Sequence, residues 1–210
     1  MKKFLSLILA LVMATALLTV GANAWTDDDS NKYIAEVKLT MDLGINKVIA
    51  DSGAFNPDSK VSRGWACRAA AYAVLGPDAA EALPKVTCFK DVDATHSNAA
   101  YINWCKEQGI VSGYADGTFN PGGFISRDAA LKIMLGALGY KASEQGYNKP
   151  GDWRYEVLTD AAATGIMNGI TIDNVVEIHR DEFAKLAVNT LYANTVAGTP
   201  RYMTSYPTLK

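Results

Sequence analysis

Three short stretches, Val61-Ser62-Arg63, Ile125-Ser126-Arg127 and Ile178-His179-Arg180, each head a segment with helical patterning, and they constrain the fold more than any other feature of the 210 residues. After the second, apolar side chains fall at Ala130, Ile133, Met134, Ala137 and Leu138; after the third, at Phe183, Leu186, Ala187 and Leu191. That spacing belongs to a helix with one buried face. Ser62 and Ser126 stand at N-cap positions, with Val61 and Ile125 just ahead of them as staples. In the third copy His179 takes the cap position, and Glu182 stands where the far half of a capping box belongs.

Upstream of each cap lies another predicted helix that ends in glycine: Tyr33 to Leu43 before Gly44, Asn98 to Gln108 before Gly109, and Trp153 to Thr164 before Gly165. An apolar residue follows each glycine, namely Ile45, Ile110 and Ile166. Turn chemistry then leads to the next cap, clearest at Asp116-Gly117 and Asn120-Pro121, with Asn56-Pro57 as the first-copy match. The third copy lacks the Asp-Gly turn and is shorter between Gly165 and Arg180. Self-similarity of this kind marks an array in which no unit buries its apolar face alone. The expectation is an all-α chain of three helix-loop-helix repeats, spanning 25–84, 85–143 and 144–194, followed by an aperiodic tail, 195–210.

Residues 1–24 have the form of an export signal: Lys2 and Lys3, an apolar run from Phe4 to Leu18, and Ala22-Asn23-Ala24 as a small-residue cleavage site. The run is too short for a membrane span, so the mature chain is expected outside the cytoplasm with no membrane insertion. Removing Lys2 and Lys3 from the 20 basic residues leaves 18 against 22 acidic ones, a balance that disfavours nucleic acid and anionic membranes as partners. Cys67, Cys88 and Cys105 are an odd number with spacing unlike a zinc site; one pair plus a free thiol and three reduced thiols are both open.

Arg63, Arg127 and Arg180 sit in the first turn of their helices, where the macrodipole disfavours a cation by about 0.3–1 kcal/mol. A locally unfavourable choice made three times calls for a reason. One is an anion: a helix N-terminus offers N–H groups and a guanidinium adds a bidentate donor, which together suit a carboxylate or phosphate. The other is an acidic neighbour on the next repeat.

The second copy carries the most specific pattern. Phe89-Lys90-Asp91-Val92, the run from Gly109-Ile110-Val111-Ser112-Gly113-Tyr114 through Ala115-Asp116-Gly117-Thr118-Phe119-Asn120-Pro121, and Ser126-Arg127-Asp128-Ala129 together resemble the S-layer homology module. The resemblance extends in weaker form from about Ser30 to Asn194. It implies a pseudo-threefold, three-pronged helical bundle with the Arg-led helices at its centre. It also implies a surface-anchoring role, with inter-prong grooves holding a secondary cell-wall polysaccharide attached to peptidoglycan, commonly one ending in a pyruvylated sugar. By position, Arg63, Arg127 and Arg180 would meet the acid group, Gly113, Tyr114, Asp116 and Gly117 would line the loop beside the sugar, and Trp104 or Trp153 would offer stacking faces. For either Trp, core packing is the alternative. The departures are Trp65 and Ala129 in place of the family's Glu, a first copy without the Phe-x-Asp-Val opening, and a third without the Gly-Tyr-x-Asp-Gly loop.

No catalytic constellation accompanies this pattern. Two histidines, His96 and His179, have no nucleophile elbow, phosphate loop or His-Glu-x-x-His around them, so neither catalysis nor a cofactor is expected. The Asp116-Gly117 loop lacks alternating oxygen ligands, which argues against calcium, and Asp27-Asp28-Asp29 has the form of an exposed acidic start. The competing function is that of a surface-layer subunit acting through protein contacts with itself or other surface proteins, motivated by the tail and its Tyr202, Tyr206, Pro200 and Pro207.

Overall fold

The computed structural model describes residues 31–46, 54–151, 153–170 and 177–206. The expected export signal, the Asp27-Asp28-Asp29 triplet, the third-copy loop at 171–176 and the last four residues lie outside them. Among the described residues there are eight helices and only isolated β-bridges, so the fold is all-α. The helices are α1 (Ile34–Asp42), α2 (Arg63–Leu75), α3 (Pro77–Glu81), α4 (Ala99–Glu107), α5 (Arg127–Ala137), α6 (Trp153–Thr164), α7 (Arg180–Tyr192) and α8 (Tyr202–Ser205).

The expected start and stop signals are where the helices begin and end. Ser62 accepts from Trp65 N and Ser126 from Ala129 N, each at 3.3 Å. At α7 the Glu182 carboxylate accepts from His179 N at 3.3 Å. Just beyond α1, α4 and α6, Gly44, Gly109 and Gly165 take φ of 72°, 70° and 74°, a conformation that costs other residues about 1–2 kcal/mol. The isoleucine after each turns inward: Ile45, Ile110 and Ile166 are all buried.

The Arg-led helices α2, α5 and α7 pack on one another, and each carries one Gly-ended helix: α4 lies on α2, α6 on α5, and α1 on α7. The first described helix thus pairs with the last long one described. At the centre, just before the three caps, Val61 N donates to Ile178 O, Ile178 N to Ile125 O, and Ile125 N to Val61 O, each at 3.0 Å. These bonds close a cycle among three chain segments more than fifty residues apart, and all three side chains are buried. Each backbone group, lacking water, would be costly to leave unpaired, which ties the three helix starts together.

The tail departs from its aperiodic expectation. Residues 202–205 form a helical turn, Tyr206 is buried, its hydroxyl donates to Tyr72 O at 2.9 Å, and Ser205 Oγ donates to Val74 O at 2.7 Å. These two hydroxyls anchor a segment that has no helical period to announce it.

Candidate functional site

A groove of about 730 Å³ opens between the N-terminal halves of α2 and α4. Trp65 and Arg68 line it from α2, Ser97, Asn98 and Tyr101 from the start of α4, and Arg180 from the first residue of α7. Lys60, Lys85 and Glu81 complete the rim. Gly64 lets the walls approach: a Cβ there would lie 3.0 Å from Asn98 Nδ2 and 3.1 Å from Pro121 O. In the other two copies this position is Asp128 and Asp181.

Four cations face one carboxylate in the groove, and that carboxylate has its own partners. Glu81 accepts from the Tyr72 and Tyr101 hydroxyls, with Arg68 Nη2 at 3.8 Å. Arg68 Nη1 donates to Ile45 O at 2.7 Å, and its guanidinium stacks 4.1 Å from the Tyr72 ring centroid. Lys60 pairs with Glu177 at 3.3 Å, but both are about 40% exposed, where such a pair contributes little. Arg180 Nη1 donates to Phe55 O at 2.9 Å and its guanidinium lies 5.0 Å from the Trp65 ring. Its Nε is buried without a hydrogen-bond partner among the described residues. Burial also pulls the Arg180 pKa below the usual guanidinium value, the response of a desolvated cation, and no ion pair compensates it among the described residues.

The three arginines expected to hold an acid group meet three different surroundings. Arg127 is closed: its Nη2 donates to both Glu182 oxygens, at 2.7 and 3.0 Å, and Nε reaches one at 3.2 Å. The corresponding residues on the other two Arg-led helices are Trp65 and Ala129. Arg180 therefore faces an indole where Arg127 faces a carboxylate. Arg63 donates from Nε to Phe119 O at 2.8 Å and lies between the Tyr114 and Phe119 rings, 4.9 and 4.5 Å from their centroids. The backbone donors at two of these helix starts are already engaged. Arg63 N and Gly64 N donate to Gly123 O and Pro121 O at 2.9 Å, and Arg180 N donates to Ser59 O at 2.9 Å. An anion at those starts would meet side chains rather than free N–H groups.

The other expected site residues are dispersed. Tyr114 is half exposed beside Arg63. Asp116 turns back on Thr118, accepting from its N at 2.9 Å and its hydroxyl at 2.7 Å, which holds the carboxyl below the usual range. Gly117 packs on Lys90. Trp104 is nearly buried against the core and Trp153 half-buried at the start of α6, with Lys132 and Arg154 over its ring. Gly113, at φ 73°, is required sterically: an added Cβ would stand 2.5 Å from the Phe89 ring and 2.7 Å from Thr118 O. Gly113→Ala is expected to cost about 2–3 kcal/mol by urea unfolding, combining backbone strain with overpacking. Gly109→Ala, with φ 70° and open space around it, should cost only about 1 kcal/mol. Equal costs would refute the steric part.

Lys60, Arg68, Lys85, Asn98 and Tyr101 are groove residues that the motif reasoning passes over. One signal for them is present in the sequence: Arg68, Lys132 and Lys185 each stand five residues after a repeat arginine. The three pin their neighbours differently, Arg68 through Ile45 O, Lys132 through Tyr147 O at 2.8 Å, and Lys185 through Glu36 at 2.7 Å. Among the described residues no three His, Cys, Asp or Glu side chains gather as a metal site, and no helix is long and apolar enough to cross a membrane.

Comparison with known proteins places part of the chain. Residues 89–131 match the family model of the S-layer homology domain. Over 189 residues, 88% of this chain and 24% of the relative, it is 26% identical to a cell surface protein of Thermoanaerobacter kivui. Over 98 residues, 47% of this chain and 9% of the relative, it is 28% identical to the middle cell wall protein of Brevibacillus brevis. The chain thus spans about a quarter or less of the length of these curated relatives.

Proposed function

We propose, from the S-layer homology match of residues 89–131, that this is a non-catalytic surface protein that holds an anionic wall polysaccharide in the groove between α2 and α4. The observation that carries this reading is the surroundings of Arg180. Arg127 takes a carboxylate from its own chain, whereas Arg180, at the equivalent place, has Trp65 and a buried Nε without a partner among the described residues. The Arg127–Glu182 pair is thus an internal picture of how Arg180 would receive a carboxylate from outside. Trp65 and Tyr101 supply faces for a sugar ring, while Ser97 and Asn98 offer hydroxyl and amide partners. A carboxylated terminal sugar, such as one bearing a pyruvate ketal on a peptidoglycan-attached polymer, matches this combination of indole, amide and guanidinium. The names of the relatives support a location at the cell surface. Three repeats, with one groove open and the Arg127 junction closed by its own ion pair, are the organisation most consistent with the central hydrogen-bond cycle.

Sedimentation with purified wall sacculi tests this. The protein should pellet with intact sacculi and stay in solution once the secondary polymer has been extracted. Arg180→Ala should weaken binding about tenfold, equivalent to roughly 1.4 kcal/mol. Retention on stripped sacculi would sink the glycan reading. Polymer-dependent binding that Arg180→Ala leaves unchanged would move the site out of this groove.

A further inference from the structure

Cys67 lies on α2 and Cys105 on α4, the two helices that wall the groove, and both side chains are fully buried. The Cys105 thiol donates to the Cys67 carbonyl oxygen at 3.5 Å, and both cysteines are free thiols in this structure. Cys88 differs: it is only half-buried, outside both helices, with Lys106 Nζ donating to its carbonyl at 2.7 Å. Two of the three thiols therefore sit buried on packed helices and the third lies apart from them.

We propose that Cys67 and Cys105 form a structural disulfide that ties α2 to α4. The two helices pack on each other and bring the Cys105 Sγ up to the Cys67 backbone, the kind of approach across packed elements that such a bond needs. Both residues are distant in sequence, so the link would close a loop of nearly forty residues and remove much of the unfolded chain's freedom. The chemistry is thiol–disulfide exchange with a low-molecular-weight disulfide of the glutathione class. One protein thiolate attacks the external disulfide and releases one thiol. The second protein thiolate then displaces the other, so that one S–S bond forms, one breaks, and two electrons pass to the reagent. Full burial of both sulfurs implies that the bond forms while the chain folds and is shielded afterwards. The proposal is independent of the glycan reading, since it concerns how the walls are joined and not what they hold.

The full chain is refolded from denaturant with excess oxidised glutathione and a trace of its reduced form, then unfolded, alkylated with iodoacetamide and analysed by peptide mass mapping. The expected product has Cys67 and Cys105 in one linked peptide pair, Cys88 alkylated, and an intact mass about 2 Da below the fully reduced chain before alkylation. Its thermal midpoint should fall by about 10 °C on reduction. Cys88→Ser should leave the link and this shift unchanged. Three alkylated cysteines, a linked pair that includes Cys88, or a chain that folds only under reducing conditions would each overturn the proposal.

Discussion

Replacing Glu182 by alanine is expected to lower the free energy of unfolding by about 3–5 kcal/mol, because it leaves the Arg127 guanidinium buried without its counter-charge. Side-chain exposures of 11% for Arg127 and 14% for Glu182 put the pair in the regime where truncating one partner is costly. Glu182 also accepts from His179 N, so the same change removes the cap contact of α7. In urea the midpoint should move down by roughly 1–2 M. Exchanging both partners for methionine should restore most of the loss, since an apolar pair of similar volume leaves no charge stranded. A Glu182→Ala variant within about 0.5 kcal/mol of the parent would show the pair to be a solvated surface contact instead.

A second large effect is expected at Phe119. Its side chain is fully buried, stacks on Phe89 with centroids 5.3 Å apart, and forms one of the two aromatic faces around Arg63. Phe119→Ala should cost about 3–5 kcal/mol by thermal or urea unfolding, through lost burial and the cavity left behind. Tyr114, the other face, is 50% exposed, so Tyr114→Ala should cost under about 1 kcal/mol. Comparable losses for the two would mean that Arg63, and not the core, sets the energy at this junction.

Helix starts, helix ends and inward faces were legible because each depends on residues within one turn of the chain. Ser62, Ser126, Gly44, Gly109 and Gly165 act locally, and the apolar faces of α5 and α7 are buried at every expected position. The groove was less legible, since its walls come from neighbours chosen by packing: α4 lies on α2, so Tyr101 and Asn98 meet Trp65 across a separation that no motif spans. Arginine alone did not reveal which copy was open. The deciding residue stands two positions later, where Trp65, Ala129 and Glu182 give the three junctions different chemistry. The tail was illegible because its anchors, the Tyr206 and Ser205 hydroxyls on two carbonyls of α2, follow no period in the sequence.

The cycle joining Val61, Ile125 and Ile178 uses every inward donor and acceptor that it exposes. An open solenoid leaves a free face at each end and can gain or lose a unit by stacking. Here a fourth segment would find no vacant carbonyl at the axis, and a chain shortened by one would strand a buried N–H and a buried C=O. Unit number is accordingly set by ring closure, not by chain length. Duplication or deletion of a single helix pair should cost the whole centre, while a break at one covalent linker, with all three segments retained, should leave the ring able to assemble.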